Sequence, residues 1–161
     1  MRINSPGGSA FDGLAIANAL RRHTAGPVTT LVEGAAFSAA SVIALGGTKR
    51  LAAPTSMLMI HRSRGFAMGG VAEMESCAEM LGKLDGQIAL SYQNEKLTQP
   101  RALELMDAET FMTAAEALEL GLITALDGAA TSAPADAAAR AAELLSSFPM
   151  SSAWLKRPAA L

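Results

Sequence analysis

The stretch PVTTLVEGAAFSAASVIAL, residues 27–45, decides the fold. Its first part is short and rich in β-branched residues, which predicts a strand over Pro27 to Val32. A turn led by Gly34 follows, and the small residues from Ser38 to Leu45 then predict a helix. A strand that passes into a helix through a glycine-led turn is the repeating unit of layered α/β proteins.

Outward from this stretch, the same alternation continues on both sides. Before it, the pattern predicts a strand ending at residues 3–5, a turn at 6–8 and a helix over 11–22, whose buried stripe is Phe11, Leu14, Ile16, Ala17 and Leu20. After it, the pattern predicts strands over 49–53 and 56–61, helices over 71–97 and 100–106, and a strand over 122–126. Another helix precedes this last strand, and Thr113 caps it together with Glu116. We therefore expect an α/β domain with helices flanking largely parallel strands.

Composition restricts the partners of this chain. Hydrophobic residues make up 50% of it and charged residues 17%, below the roughly 25% of an average soluble protein. We therefore expect neighbouring subunits to cover part of its surface. The net charge is -2, with 13 basic residues scattered among 15 acidic ones. Because this pattern forms no basic stripe, nucleic acid is not an expected partner.

Compartment and domain boundaries follow from other features of the sequence. No apolar run reaches the roughly 18 residues of a membrane span, and the start MRINSPGG has no signal-peptide pattern. Cys77 is the only cysteine, so we expect a cytoplasmic protein without an intrachain disulfide.

After Gly128 the composition shifts to Ala, Ser and Pro. We therefore expect one domain over 1–128 and an appendage over 129–161.

Ser38 is the candidate nucleophile. A serine hydroxyl needs a base to accept its proton and aligned donors for the oxyanion. The predicted turn would project Ser38 from the end of a strand, with the Ala39 N–H at the start of a helix. The same position equally suits a serine that caps the helix. From this residue alone, both the nucleophile and the helix cap stay open.

His61 is the candidate base, because it ends an apolar strand and begins a glycine-rich loop, where α/β folds present functional side chains. A hydrogen-bonded structural histidine is the alternative for this position. His23, the only other histidine, falls at the end of a helix, where its charge would favour the helix dipole.

Five motifs together resemble the ClpP peptidases. In order along the chain they are INSPGG (3–8), GAAFS (34–38), MIH (59–61), ETFMTAAEA (109–117) and GLI (121–123). The phage and prophage head-maturation type is the variant that the chain is most similar to. The resemblance implies the ClpP/crotonase-like spiral of strand-turn-helix units, in which the helix from Val71 is the long handle that packs ring against ring.

By this resemblance, Ser38 is the nucleophile, His61 is the general base and acid, and the N–H groups of Gly8 and Ala39 form the oxyanion hole. Glu109 falls at the position of the family's aspartate and is preferred as the third catalytic member, with Asp107 as the competing choice. The family needs no cofactor and no metal for this chemistry.

The implied function is a serine endopeptidase that cleaves polypeptides and assembles as a homo-oligomeric ring, either a heptamer or stacked heptamers. Its partners would be an ATPase unfoldase or, in phage prohead maturation, capsid proteins. The family carries early strands before the INSPGG motif, and we expect this chain to lack them. Three alternatives stay open: an inactive ring-forming or scaffold subunit, a crotonase-like acyl-CoA enzyme, and a Ser-Lys peptidase with Lys49 or Lys83 as the base.

Overall fold

The structure is a computed structural model, and it describes residues 1–128, which form one compact unit. The predicted appendage lies outside the described residues. The elements in chain order are β1 (Arg2–Ser5), α1 (Ala10–Arg21), β2 (Thr29–Phe37), α2 (Ala39–Ala44), β3 (Lys49–Ala52), β4 (Met57–Ile60), α3 (Val71–Tyr92), α4 (Gln99–Asp107), β5 (Thr110–Thr113), α5 (Ala114–Glu119) and β6 (Ala125–Leu126).

Strand β2 organises a six-stranded mixed sheet. Its first half, Thr29 to Val32, pairs in parallel with β3, and its second half, Ala35 to Phe37, pairs in parallel with β4. Strand β1 also pairs in parallel with β2, β6 pairs in parallel with β3, and only β5 is antiparallel, against β4. The prediction of an α/β domain with largely parallel strands is confirmed, and the architecture is consistent with the ClpP/crotonase-like fold.

The pairing of β1 with β2 has an irregular register just before the glycine-rich turn at residues 6–8. The pairing shifts between Ile3 and Ser5, and the Asn4 Oδ1 accepts a 3.1 Å hydrogen bond from the Ala35 N–H. A Cβ on Gly34 would lie 2.7 Å from that same Asn4 oxygen, so glycine is needed for the contact. The asparagine side chain thus supplies a hydrogen bond between the two strands at the point where their register shifts.

The core lies between the sheet and the helices that follow it. Its largest fully buried side chains are Leu58, Ile60, Leu97, Met106, Met112, Leu122 and Ile123. Thr113 and Glu116 form the predicted capping box: the Thr113 Oγ1 accepts from the Glu116 N–H, and the Glu116 carboxylate accepts from the Thr113 N–H. Within residues 1–128, no helix combines the length and the hydropathy needed to cross a membrane.

Several predicted boundaries were wrong. Strand β2 does not end at Val32 but continues through Gly34 to Phe37, because both of its halves find parallel partners. Helix α3 ends at Tyr92, and the chain then turns so that Leu97 is fully buried outside the helix. The sequence-based prediction also omitted β5, a short strand whose only partner is β4.

The predicted buried stripe of α1 was only partly right. Ala17 is fully buried and Leu14 packs against the core, but Phe11 is 62% exposed and Ile16 is also exposed. Helix α1 packs on α2, whose small residues allow a close approach: a Cβ on Gly13 would lie 3.0 Å from the Ala39 side chain. Close packing through small residues therefore leaves the larger apolar side chains of α1 outside the contact.

Candidate active site

The Ser38 backbone adopts an unusual conformation between β2 and α2. Its φ of 54° and ψ of -126° lie outside the regions that ordinary residues prefer, and such strain costs on the order of 1–3 kcal/mol. The Ser38 N–H donates a 2.9 Å hydrogen bond to the Met59 carbonyl, which ties the turn to β4. The Ser38 side chain makes no helix-capping hydrogen bond, so the structure does not support the capping alternative.

His61 follows the last residue of β4, next to the end of β2. The register pairs Phe37 with Met59, so the two parallel strands end at the same edge of the sheet. There the His61 Nε2 lies 2.8 Å from the Ser38 Oγ, within the range for proton transfer between a base and a nucleophile. The sheet register is therefore what brings together two residues that lie 23 positions apart.

The Nδ1 of His61 is buried, and among the described residues it has no hydrogen-bond partner. The predicted orienting carboxylate, Glu109, accepts instead a 2.8 Å hydrogen bond from Arg64. Glu109 has a φ of 48°, so its backbone is also in the left-handed region. The structure thus brings Ser38 and His61 together but does not join Glu109 to the imidazole, and the role of Glu109 stays a prediction.

Asp107, the competing carboxylate, is held by an arginine as well. Arg62 donates to both of its carboxylate oxygens, at 2.7 and 2.8 Å. These hydrogen bonds hold the pKa of Asp107 below its usual range and raise the pKa of Arg62. In this structure, neither candidate carboxylate hydrogen-bonds to His61, because each pairs with an arginine of the loop after His61.

Asp85 is a buried carboxylate that the sequence reasoning missed. It accepts hydrogen bonds from the Ser63 N–H at 2.7 Å and from the Ser63 Oγ at 2.6 Å, and Arg62 lies 3.5 Å away. These contacts attach the loop after His61 to α3. An aspartate between the apolar positions Leu84 and Ile88 of a helix was the available signal.

Two glycines and Ala39 surround the nucleophile. Gly7 has a φ of 101°, and a Cβ there would lie 2.6 Å from the Phe37 carbonyl oxygen and 2.7 Å from the Ser38 Cβ. Gly8 lines the cleft, and no protein atom lies within 4 Å of the position of a Cβ on it. Ala39 is the first residue of α2, and the first N–H groups of a helix have no acceptor inside it.

A cleft of about 320 Å³ opens at Ser38 and His61. Helices α1, α2 and α3 supply the apolar part of its wall, and Ser63, Arg64 and Gly65 of the loop after His61 also line it. The apolar side chains in the wall include Phe11, Val42, Met80, Leu81, Leu84 and Ile88, and the Tyr92 ring also lines it. The cleft can therefore hold an extended chain with an apolar side chain close to the nucleophile.

Two other residues considered from the sequence lie outside this cleft. His23 is exposed after α1, and Lys83 pairs with Glu79 on α3.

This chain is similar to known proteins of one family. The family model for Clp protease matches residues 1–127. Similar curated proteins include ATP-dependent Clp protease proteolytic subunits from Deinococcus radiodurans, 36% identical over 76% of this chain and 61% of the relative, and from Ligilactobacillus salivarius, 40% identical over 76% of this chain and 64% of the relative. A subunit 1 from Protochlamydia amoebophila is 39% identical over 75% of this chain and 61% of the relative.

The chain spans a little over three-fifths of the length of these relatives. Over that span, the family match covers every element of the described structure, from β1 to β6. The chain belongs to the Clp protease family.

Proposed function

We propose that this chain carries the active site of a serine endopeptidase, with Ser38 as the nucleophile and His61 as the general base. The observation that supports this most strongly is the 2.8 Å distance between the Ser38 Oγ and the His61 Nε2, both of which line one cleft. The strained Ser38 backbone adds support, because strain of this kind is concentrated at functional sites. The relatives are named as protease subunits.

The proposed reaction proceeds in two halves. His61 accepts the Ser38 hydroxyl proton as the oxygen attacks the peptide carbonyl carbon, and the N–H groups of Gly8 and Ala39 donate to the oxyanion that forms. The imidazolium then gives this proton to the leaving amine, and the C–N bond breaks to leave an ester on Ser38. Water, with His61 again as the base, hydrolyses the ester and restores the serine.

Glu109 completes this proposal as the group that orients the protonated His61. Its carboxylate would have to exchange its hydrogen bond from Arg64 for one from the His61 Nδ1–H, which has no partner among the described residues. Both Arg64 and Glu109 are exposed, so water can solvate the arginine when the pair opens. An opening of this kind has a low energetic cost.

The proposed substrate is a polypeptide with an apolar side chain next to the scissile bond. Apolar side chains make up much of the cleft wall, and the charged side chain in its lining is that of Arg64. Apolar side chains from α2 and α3, including Val42 and Leu84, line the same cleft as the nucleophile. Burial of a leucine-sized side chain there would contribute about 1.5–3 kcal/mol to binding.

For assembly, we propose a homo-oligomeric ring, a heptamer or stacked heptamers, in the cytoplasm. Exposed apolar side chains follow one another along the loop and the start of α3, namely Phe66, Met68, Val71 and Met74. The relatives are named ATP-dependent subunits, so an ATPase unfoldase is the partner proposed first. Phage prohead maturation, with capsid proteins as substrates, is the alternative setting.

A fluorophosphonate probe tests the proposed activity. It should label the unsubstituted protein and leave Ser38→Ala and His61→Ala unlabelled, whereas Ser9→Ala should still be labelled, since Ser9 lines the same cleft but its Oγ accepts a hydrogen bond from the Asp12 N–H. Labelling that persists in Ser38→Ala would disprove the assignment.

A non-catalytic assembly subunit is the second candidate. It is favoured by one observation, the His61 Nδ1 without a hydrogen-bond partner among residues 1–128. Such a subunit would form rings in light scattering but would not react with the probe. An active protein would do both.

A further inference from the structure

The Ser38 carbonyl oxygen is held by two hydrogen bonds from a single residue. The Ser41 N–H donates to it at 2.9 Å, and the Ser41 Oγ donates to it at 2.6 Å. The Ser41 Oγ also lies 2.7 Å from the Tyr92 hydroxyl. Ser41 is 1% exposed and Tyr92 is 2% exposed, so water does not compete for these bonds.

The direction of each proton in this series of hydrogen bonds follows from the number of donors. The Ser41 hydroxyl has one proton, and the Ser38 carbonyl can only accept, so that proton goes to the carbonyl. The Tyr92 hydroxyl must then donate to the Ser41 Oγ. Burial raises the pKa of Tyr92, so the phenol keeps its proton at neutral pH. The order is therefore Tyr92 to Ser41 to the Ser38 carbonyl.

A rigid peptide unit connects these hydrogen bonds to the proposed oxyanion donor. The Ser38 carbonyl and the Ala39 N–H belong to one planar trans peptide, in which the C=O and the N–H point in opposite directions. Because hydrogen bonds hold the Ser38 carbonyl toward Ser41, the Ala39 N–H points away from Ser41. In the proposed reaction, this Ala39 N–H donates to the oxyanion.

The bonds also oppose the strain at Ser38. A residue at φ 54° and ψ -126° would relax by rotation of its adjoining peptides unless other contacts held them. The Ser38 N–H is held by Met59, and the Ser38 carbonyl is held by Ser41. Tyr92 is the last residue of α3, so it links this long helix to the nucleophile turn.

We infer that Ser41 and Tyr92 are positioning residues that hold the Ser38–Ala39 peptide so that the Ala39 N–H points at the developing oxyanion. This inference rests on the proposed peptidase function. Neither residue needs to touch the reacting atoms, because Ser41 acts through the Ser38 carbonyl and Tyr92 acts through Ser41.

The main test compares Ser41→Ala with a matched control, Ser56→Ala. Ser56 is also 1% exposed, and its Oγ also donates to the carbonyl three residues earlier, Ala53, at 2.7 Å. Loss of an oxyanion donor lowers kcat about 10²- to 10³-fold, and a misdirected donor keeps part of its effect. Ser41→Ala should therefore lower kcat about ten- to a hundredfold, with KM within about twofold. Ser56→Ala should leave both close to those of the unsubstituted protein.

A second readout isolates the oxyanion. A peptidyl trifluoromethyl ketone forms a tetrahedral adduct with the serine and should bind Ser41→Ala more weakly by the same factor as kcat falls. Tyr92→Phe keeps the ring and should lower kcat less. Because Tyr92 acts through Ser41, the double variant should be no slower than Ser41→Ala alone.

The outcomes separate the inference from the function that it rests on. An unsubstituted protein in which Ser38 does not react with fluorophosphonate would overturn the proposed function and the inference with it. A reactive unsubstituted protein beside a Ser41→Ala protein with normal kcat and normal ketone affinity would overturn the inference alone. Equal losses in Ser41→Ala and Ser56→Ala, or additive losses in the double variant, would also overturn it.

Discussion

The Arg64 guanidinium donates a 2.8 Å hydrogen bond to the carboxylate of Glu109, the residue proposed to orient His61. The arginine lies on the loop directly after His61, and Glu109 directly precedes β5. Arg62 holds Asp107 in the same way. Both candidate carboxylates are therefore close to the His61 loop in the fold, but each is neutralised by an arginine.

Substitution of the two carboxylates should identify the third catalytic member. Glu109→Gln should lower kcat for a peptide substrate by about 10²- to 10⁴-fold, because the imidazolium loses its orienting charge. Asp107→Asn, which removes the analogous partner of Arg62, should change kcat less than about threefold. The opposite ranking would assign the role to Asp107.

Removal of Arg64 should favour activity rather than reduce it. In Arg64→Ala the Glu109 carboxylate loses its hydrogen bond from the guanidinium and is free to approach the His61 Nδ1. We expect kcat equal to or above that of the unsubstituted protein at low ionic strength, with the difference decreasing as salt screens the ion pair. A large loss of kcat would show that Arg64 supports the site.

Substitution of Gly7 should be far more damaging than substitution of another glycine with positive φ. Gly7→Ala places a Cβ 2.6 Å from the Phe37 carbonyl oxygen and should lower the free energy of unfolding by about 2–4 kcal/mol, since steric overlap adds to backbone strain. At Gly26, whose φ is 155°, a Cβ would meet no other atom within 4 Å. Gly26→Ala should cost only about 1–2 kcal/mol in denaturant unfolding, from backbone strain alone; equal costs would contradict the steric explanation.

The capping box of α5 should make stability depend on pH. Hydrogen bonds from Thr113 lower the pKa of Glu116 from its ordinary value of 4.5. Its stabilising effect is thus fully present above pH 4.5 and is lost as pH falls through the lower pKa of the folded protein. Glu116→Gln should lower the Tm at pH 7, and the difference should shrink below pH 4.5. Thr113→Ala should lower the Tm at both pH values, and a pH-independent effect of Glu116→Gln would refute the charge argument.

Assembly should depend on the apolar start of α3. Val71 is 74% exposed, and Met74 lies one turn further on the same helix. Val71→Asp combined with Met74→Asp should reduce the particle mass in light scattering, because a buried interface would then have to desolvate two charges. Gln87→Asp adds a charge at an exposed polar position of the same helix and serves as the control. An unchanged mass in the double variant would exclude this surface from the interface.

Local features of this protein were readable from the sequence. The capping box of Thr113 and Glu116, the strand-turn-helix units and each of the five motifs depend on residues that are close in sequence, so propensity and spacing suffice to predict them. The family followed from the same motifs. Element ends were less predictable: β2 extends to Phe37 because its second half pairs with β4 and, at Ala36, with β1.

Only the tertiary structure decided the contacts within the site. The 2.8 Å distance between Ser38 and His61 depends on the register of β2 against β4, which the hydrophobic pattern of neither strand specifies alone. Likewise, Ser41 and Tyr92 are 51 positions apart, and their bond depends on where α3 ends. The sequence determined which groups could react. Strand pairing and helix packing, which act between distant segments, determined which of those groups meet.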